Sequence, residues 1–196
     1  GSGSAGNLST KFYFQGARRF FSSTLFYLLL SPMSDYPEAP DSYVIDKIIS
    51  GGQTGVDRAA LDAALRLGIE CGGWCPLGRW AEDGEIADHY PLQETESPDP
   101  AERTSMNVSD SDGTLVLADE GLDDGSMLTV KLARKLGKSC LIFDFQGKGY
   151  VSDVRDWIVR DEIKILNVAG CRESISPGIY ELSIGFLTEL FGSLKS

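Results

Sequence analysis

Short apolar runs alternate with segments of helical period from Val44 to Leu190, and glycine marks many of the changeovers. A chain patterned this way has few folds open to it. Val44–Ile49, Ile69–Trp74, Thr114–Ala118, Cys140–Phe143 and Ile163–Val168 read as strands. Thr54–Leu67, Arg103–Ser111, Ser126–Leu136 and Val151–Arg160 read as helices between them, and a last helix is expected from Ser176, with Pro177 at its first position. Strand–helix–strand units cross over right-handedly and pair their strands in parallel, and a parallel sheet needs cover on both faces. The expected class is α/β, doubly wound, with a mainly parallel sheet and helices on both faces. The pattern does not encode the strand order.

One domain, residues 43–196, accounts for this pattern. Residues 1–42 read instead as tag, linker or disordered extension: a glycine- and serine-rich start, then Arg18-Arg19 before the apolar Leu25–Leu30, then a proline-rich lead-in from Met33. No small-residue cleavage site follows the apolar stretch, which is too short to span a bilayer, so a membrane role is not expected. The native protein is expected to start at Met33.

Charge narrows the partners. With 29 acids against 18 bases the net charge is −11, which repels polyanions, and no basic stripe is present to bind nucleic acid. The four cysteines, Cys71, Cys75, Cys140 and Cys171, and the single histidine, His89, lack the spacing of a metal site, so no metal is expected. Buried free thiols point to a reducing, cytoplasmic setting.

The chemistry concentrates at two strand-to-helix turns. Ser50-Gly51-Gly52-Gln53-Thr54-Gly55 ends a strand and opens a helix, where ligands of open parallel sheets bind. Glycines allow backbone amides to approach an anion, and the helix start adds partial positive charge. The run is neither a Walker motif nor G-x-G-x-x-G. In the alternative reading, Thr54 and Asp57 simply cap the helix. A second turn leads from Asp119 to Gly125-Ser126, with Ser126 as cap and Thr129 in the first helical turn. If the two strands are neighbours, both helix starts face one crevice.

Two arginines stand out. Between residues 81 and 124, fourteen acids face one base, Arg103. Arg103 and Arg79 either neutralise neighbours or grip an anion. Arg103, Thr104 and Asn107 share a helical face. Pro76–Ala101 is long for a connection and suits a lid or binding loop, entered through Trp74, which suits either stacking on a ring or the core.

Several of these motifs occur together in a known family. Gly51-Gly52-Gln53-Thr54-Gly55-Val56-Asp57-Arg58-Ala59-Ala60-Leu61-Asp62, Gly72–Arg79, Ala81–Gly84, Arg103-Thr104 with Asn107-Val108, and Asn167–Gly170 resemble the putative molybdenum carrier family. That family sits in the Rossmann-like group with the lysine-decarboxylase-like nucleotide hydrolases. The resemblance covers about residues 45–195. It implies binding of the molybdenum cofactor, a pterin with a phosphate tail, by a homo-oligomer, either dimer or tetramer. Gly51–Gly55 and Gly125–Thr129 would hold the phosphate, and Arg79 and Arg103 would neutralise it. The related hydrolases carry Pro-Gly-Gly-x-Gly-Thr-x-x-Glu, whereas Asp123–Lys131 here lacks that catalytic glutamate. Cys171 also follows Gly170 where the family has proline.

Three functions follow as alternatives. The first is a carrier for a phosphate-bearing small molecule, with Gly51, Gly52, Gln53, Thr54, Gly55, Arg79, Arg103, Thr104, Asn107, Gly125, Ser126 and Thr129 at the ligand. The second is a phosphoribohydrolase-like nucleotide-processing enzyme using Glu82, Asp83 or Asp57. The third is a nucleotide-sensing module.

Overall fold

A computed structural model describes residues 12–15 and 43–195. A strand at Phe12–Gln15 (β1) comes first. The domain then runs β2 (Lys47–Ile49), α1 (Val56–Leu67), β3 (Glu70–Cys75), β4 (Trp80–Ala81), β5 (Gly84–Glu85), β6 (Leu92–Glu94) and α2 (Pro100–Ser109). It continues through β7 (Gly113–Ala118), α3 (Asp124–Lys135), β8 (Ser139–Asp144), α4 (Val151–Arg160), β9 (Ile165–Gly170) and α5 (Ile179–Ser193). Six parallel strands, β8-β7-β9-β2-β3-β6, form the sheet, and β1 adds parallel to β8 at one edge. The expected α/β class is what the chain adopts. The segment around the Met33 start lies outside the described residues.

Alternation along the strands sorts side chains to the two faces. Leu115 and Leu117 of β7 and Leu141 and Phe143 of β8 join the larger core with α1, α4 and α5, where Trp157 and Phe191 are buried. Val116, Cys140 and Ile142 face the other way, against Val108 of α2 and Ala133 of α3.

The strand order departs from chain order in an informative way. β9, last in sequence, lies between β2 and β7. Counted from β9 as first strand, with β2 and β3 next and then β7 and β8, the order is the doubly wound 3-2-1-4-5. The chain thus enters the fold one strand late and supplies the missing strand at the end. Its two domain ends meet accordingly: the Ile45 amide donates to the Leu194 carbonyl at 3.1 Å. β2 and β7, expected as neighbours if their helix starts were to share a crevice, are separated by β9.

Helix starts shift from the sequence expectation for identifiable reasons. Asp123, not Ser126, caps α3, accepting the Ser126 amide at 2.7 Å. Asp99 caps α2, so that helix begins at Pro100 rather than Arg103. The final helix opens at Ile179, not Ser176, because the Glu173 carboxylate takes the Gly178 and Tyr180 amides of its first turn. At α1, Gly55 stands at the cap position without a side-chain bond, since the Thr54 hydroxyl is engaged elsewhere.

Candidate functional site

In a 3-2-1-4-5 sheet the chain leaves the first and fourth strands in opposite directions, and the crevice opens at their carboxyl ends. Here those strands are β9 and β7. The crevice is therefore walled by the end of β9, Ala169 and Gly170, by Arg172 just beyond it, and by Asp123 with the start of α3. A narrow cleft of about 80 Å³ lies there, lined also by Gln53 and Asp57 of the α1 turn and Arg103 and Thr104 of α2. A wider cavity of about 410 Å³ adjoins it through Asp123 and is bounded by Asp119–Leu122, Cys171 and Ile175–Pro177.

Two of the residues that line the cleft carry buried polar atoms without hydrogen-bond partners. Ser126 is 2% exposed, yet its Oγ accepts and donates no hydrogen bond, with only the Cys171 thiol, a weak partner, beside it. The buried Nε of Arg103 is equally unmatched. Leaving a buried donor unsatisfied costs about 1–3 kcal/mol, a cost that an acceptor brought by a ligand would relieve. The other end of Arg103 is fixed: Nη1 donates to Asp57 Oδ2 at 3.1 Å. Asp57 is 3% exposed; burial pushes its carboxyl above the usual range while Arg103 pulls it back.

Six of the twelve residues expected at the ligand meet in this cleft: Gln53, Arg103, Thr104, Gly125, Ser126 and Thr129. Gly51 supports it from behind, since a Cβ there would stand 1.8 Å from Arg103 Nη1. The glycine turn itself is packed shut rather than open to an anion. A Cβ on Gly55 would come within 2.5 Å of the Cys171 carbonyl, which also accepts the Val56 amide at 3.2 Å. The Gln53 amide donates to Asp57 and the Thr54 amide to the Gln53 side chain. The amides of the α1 turn are therefore taken within the fold, and at the start of α3 the Ser126 amide is taken by its cap, Asp123.

Other residues expected at the ligand lie elsewhere. Arg79 lies outside the cleft and ties the long 76–95 connection, donating to the carbonyls of Ile86, Ala87, Tyr90 and Leu92 at 2.9–3.2 Å. Asn107 pairs with both backbone groups of Trp74 at 2.8 and 3.0 Å and serves the fold. The Trp74 indole donates to Asp110 at 2.8 Å. The Gly52 carbonyl accepts from Arg58 Nε at 3.1 Å. Thr54 and Gly55 face a separate, open cavity of about 550 Å³ with Arg58, Asp62, Glu82, Asp83, Tyr90 and Tyr180.

Glu82 and Asp83, weighed as acid–base groups, are set as ionised carboxylates. Burial opposes it, but bonds from Ser174 and from the Thr54 hydroxyl hold Glu82 below its usual range. Arg58, donating through both terminal nitrogens at 2.8 and 2.9 Å, does the same for Asp83. The four cysteines are buried and unpaired, and burial pushes the Cys140 thiol to about 12. Among the described residues no cluster of three metal-binding side chains occurs, and no helix is long and apolar enough to cross a membrane.

Two cleft residues escaped the sequence reading. Arg172 and Asp123 line the cleft from the loops after β9 and β7. A cation two residues beyond Asn167-Val168-Ala169-Gly170 was the signal for Arg172, and only the strand order gives it meaning.

Fold and crevice define a Rossmann-like α/β protein whose first strand comes last in the chain. The chain belongs to the circularly permutated YpsA SLOG family, whose model matches residues 48–191. Among solved structures it is similar to the crystal structure of a protein from Syntrophus aciditrophicus SB described as a putative molybdenum carrier protein. The two are 44% identical, with a TM-score of 0.72, over 76% of this chain and 96% of that one. Both matches bear out the family resemblance carried by the glycine and arginine motifs. No curated protein matches the chain significantly.

Proposed function

We propose that the protein binds and carries a phosphate-bearing small molecule, the molybdenum cofactor or a close relative, as cargo in the crevice between β9 and β7. The observation that carries this reading is the pair of buried donors without hydrogen-bond partners, Arg103 Nε and Ser126 Oγ, carried by two residues that line one narrow cleft together with Arg172. An oxyanion supplies the missing acceptors, and the α3 start adds favourable field. The cleft suits a single phosphate. The adjoining cavity of about 410 Å³ suits the heterocycle, with Asp119 and Glu120 as acceptors for its N–H groups. The Syntrophus relative's description as a carrier agrees with this cargo. Buried free thiols agree with a cytoplasmic protein, and the family resemblance with a homo-oligomer.

Thermal denaturation tests the reading. Extracted molybdenum cofactor at about 100 times its Kd stabilises the native state by about 2.7 kcal/mol, which raises Tm by roughly 8 °C. Ser126→Ala and Arg103→Ala remove most of that rise. A rise undiminished in Ser126→Ala rules out this cleft as the site.

One observation favours a second reading, a nucleotide-processing enzyme: the raised carboxyl of Asp57 lies on the cleft wall, where a general acid would act. Release of free base from AMP by the wild type, and not by Asp57→Asn, would decide for it.

A further inference from the structure

The narrow cleft is balanced in charge. Arg103 and Arg172 stand on its walls against Asp57 and Asp123. Its donors are Arg103 Nε and Ser126 Oγ. Two carboxylates are fixed on its walls by one oxygen each: Asp57 Oδ2 accepts from Arg103 Nη1 at 3.1 Å and from the Gln53 amide at 3.3 Å, and Asp123 Oδ1 accepts from the Ser126 amide at 2.7 Å, so the second oxygen of each carboxylate is the acceptor a ligand would meet. A fully ionised oxyanion offers acceptors alone. Pressed into this space, some of its oxygens would face a buried carboxylate, a like-charge contact that a water-poor site penalises. A group with acceptors and one hydroxyl meets every wall: its oxygens take the arginine and serine donors, and its hydroxyl donates to the carboxylate.

This inference rests on the phosphate-site reading above. We propose that Asp57 is a specificity-determining residue that admits oxyanions carrying a proton, such as a singly ionised phosphate monoester, and rejects sulfate and sulfate esters. Sulfate has no proton to share near neutral pH. In the bound state the ligand's hydroxyl donates to the Asp57 carboxylate, and no covalent bond is made or broken. The groups acting on Asp57 are Arg103 from α2 and Asp123 from the loop before α3, with the Gln53 amide of its own turn, while Arg172 from the loop after β9 lines the same cleft. Against the effect of burial, Arg103 and the Gln53 amide, both donating to Asp57, favour its ionised, accepting form.

Proton uptake on binding has a defined sign. A phosphate monoester loses its second proton near pH 6. Above that point the free ligand must regain the proton to bind, so affinity falls as pH rises, by up to about tenfold per pH unit.

Calorimetric titration of the full chain with phenyl phosphate and phenyl sulfate, at fixed ionic strength and several pH values from about 6 to about 8, tests this. Phenyl phosphate should bind at least about tenfold more tightly than phenyl sulfate at the lower pH, with affinity falling toward the higher. In Asp57→Asn the sulfate ester should gain affinity and the pH dependence should flatten. Equal binding of the two esters by the wild type, lost together in Ser126→Ala, would overturn the proton requirement and leave the anion site standing. Binding of neither ester, or binding indifferent to Ser126→Ala, would overturn the anion site and this inference with it. The wild-type comparison of esters decides the matter even if Asp57→Asn does not fold.

Discussion

Arg103 reaches Asp57 because position 51 carries no side chain. The guanidinium lies where a Cβ would be, 1.8 Å from Nη1. Gly51→Ala therefore displaces the guanidinium and leaves the buried carboxylate alone. Breaking one side of such a pair costs about 3 kcal/mol, which lowers Tm by roughly 9 °C. Thermal scans with and without phosphate check both this loss and the expected loss of ligand stabilisation; an unchanged Tm would refute the packing argument. Arg103 was legible in the sequence as the lone base among fourteen acids. Arg79 and Asn107 looked equally suggestive, yet their polar atoms serve backbone groups of the 76–95 connection and of Trp74. Sequence shows that a side chain can donate, not whether the donor is taken by a distant stretch of backbone. Arg172 was missed for the complementary reason: its loop carries no glycine turn, and only the fold brings it beside α3.

At the scale of elements, α1 is the post to which two other segments are tied. Asp62 on α1 accepts from the Tyr90 phenol of the 76–95 connection at 2.9 Å and from the Tyr180 phenol of α5 at 2.7 Å. Burial, reinforced by the Asp62 carboxylate, pushes both phenols up to about 12. Unfolded tyrosines ionise near pH 10. The folded state thus holds two protons more tightly, a contribution complete below about pH 10 and lost as pH climbs toward 12. Urea midpoints should fall steeply between about pH 9.5 and 11.5, and less so in Tyr90→Phe/Tyr180→Phe. Equal slopes in the two proteins would show the clamp to be unimportant. Helix interiors were legible from periodicity, as in Val56, Ala60, Ala63 and Ala64 of α1. Helix starts were not, because the capping group can sit at a distance, as Glu173 does for α5.

At the scale of the molecule, the parallel class followed from the alternation of elements, but the neighbour relations did not. Placing β9 between β2 and β7 moves the crevice from the Gly51–Gly55 turn to the segment after Gly170. The late strand also makes a direct prediction. Because the Ile45 amide meets the Leu194 carbonyl, a short glycine linker can join residue 194 to residue 45, with new ends opened in the turn before β9, between Asp161 and Glu162. The rearranged chain should unfold cooperatively with a Tm within about 5 °C of the original and keep its response to phosphate. A chain that fails to fold would mean that the order of synthesis, not only the final packing, matters here.

The same meeting of ends has a practical side. Both domain ends emerge where the strands begin, while the cleft opens where they finish, across about 20 Å of sheet for six-residue strands. Anything fused or anchored at the carboxyl end hangs from the floor of the molecule and leaves its mouth clear, so a tethered copy keeps its cleft open to solvent.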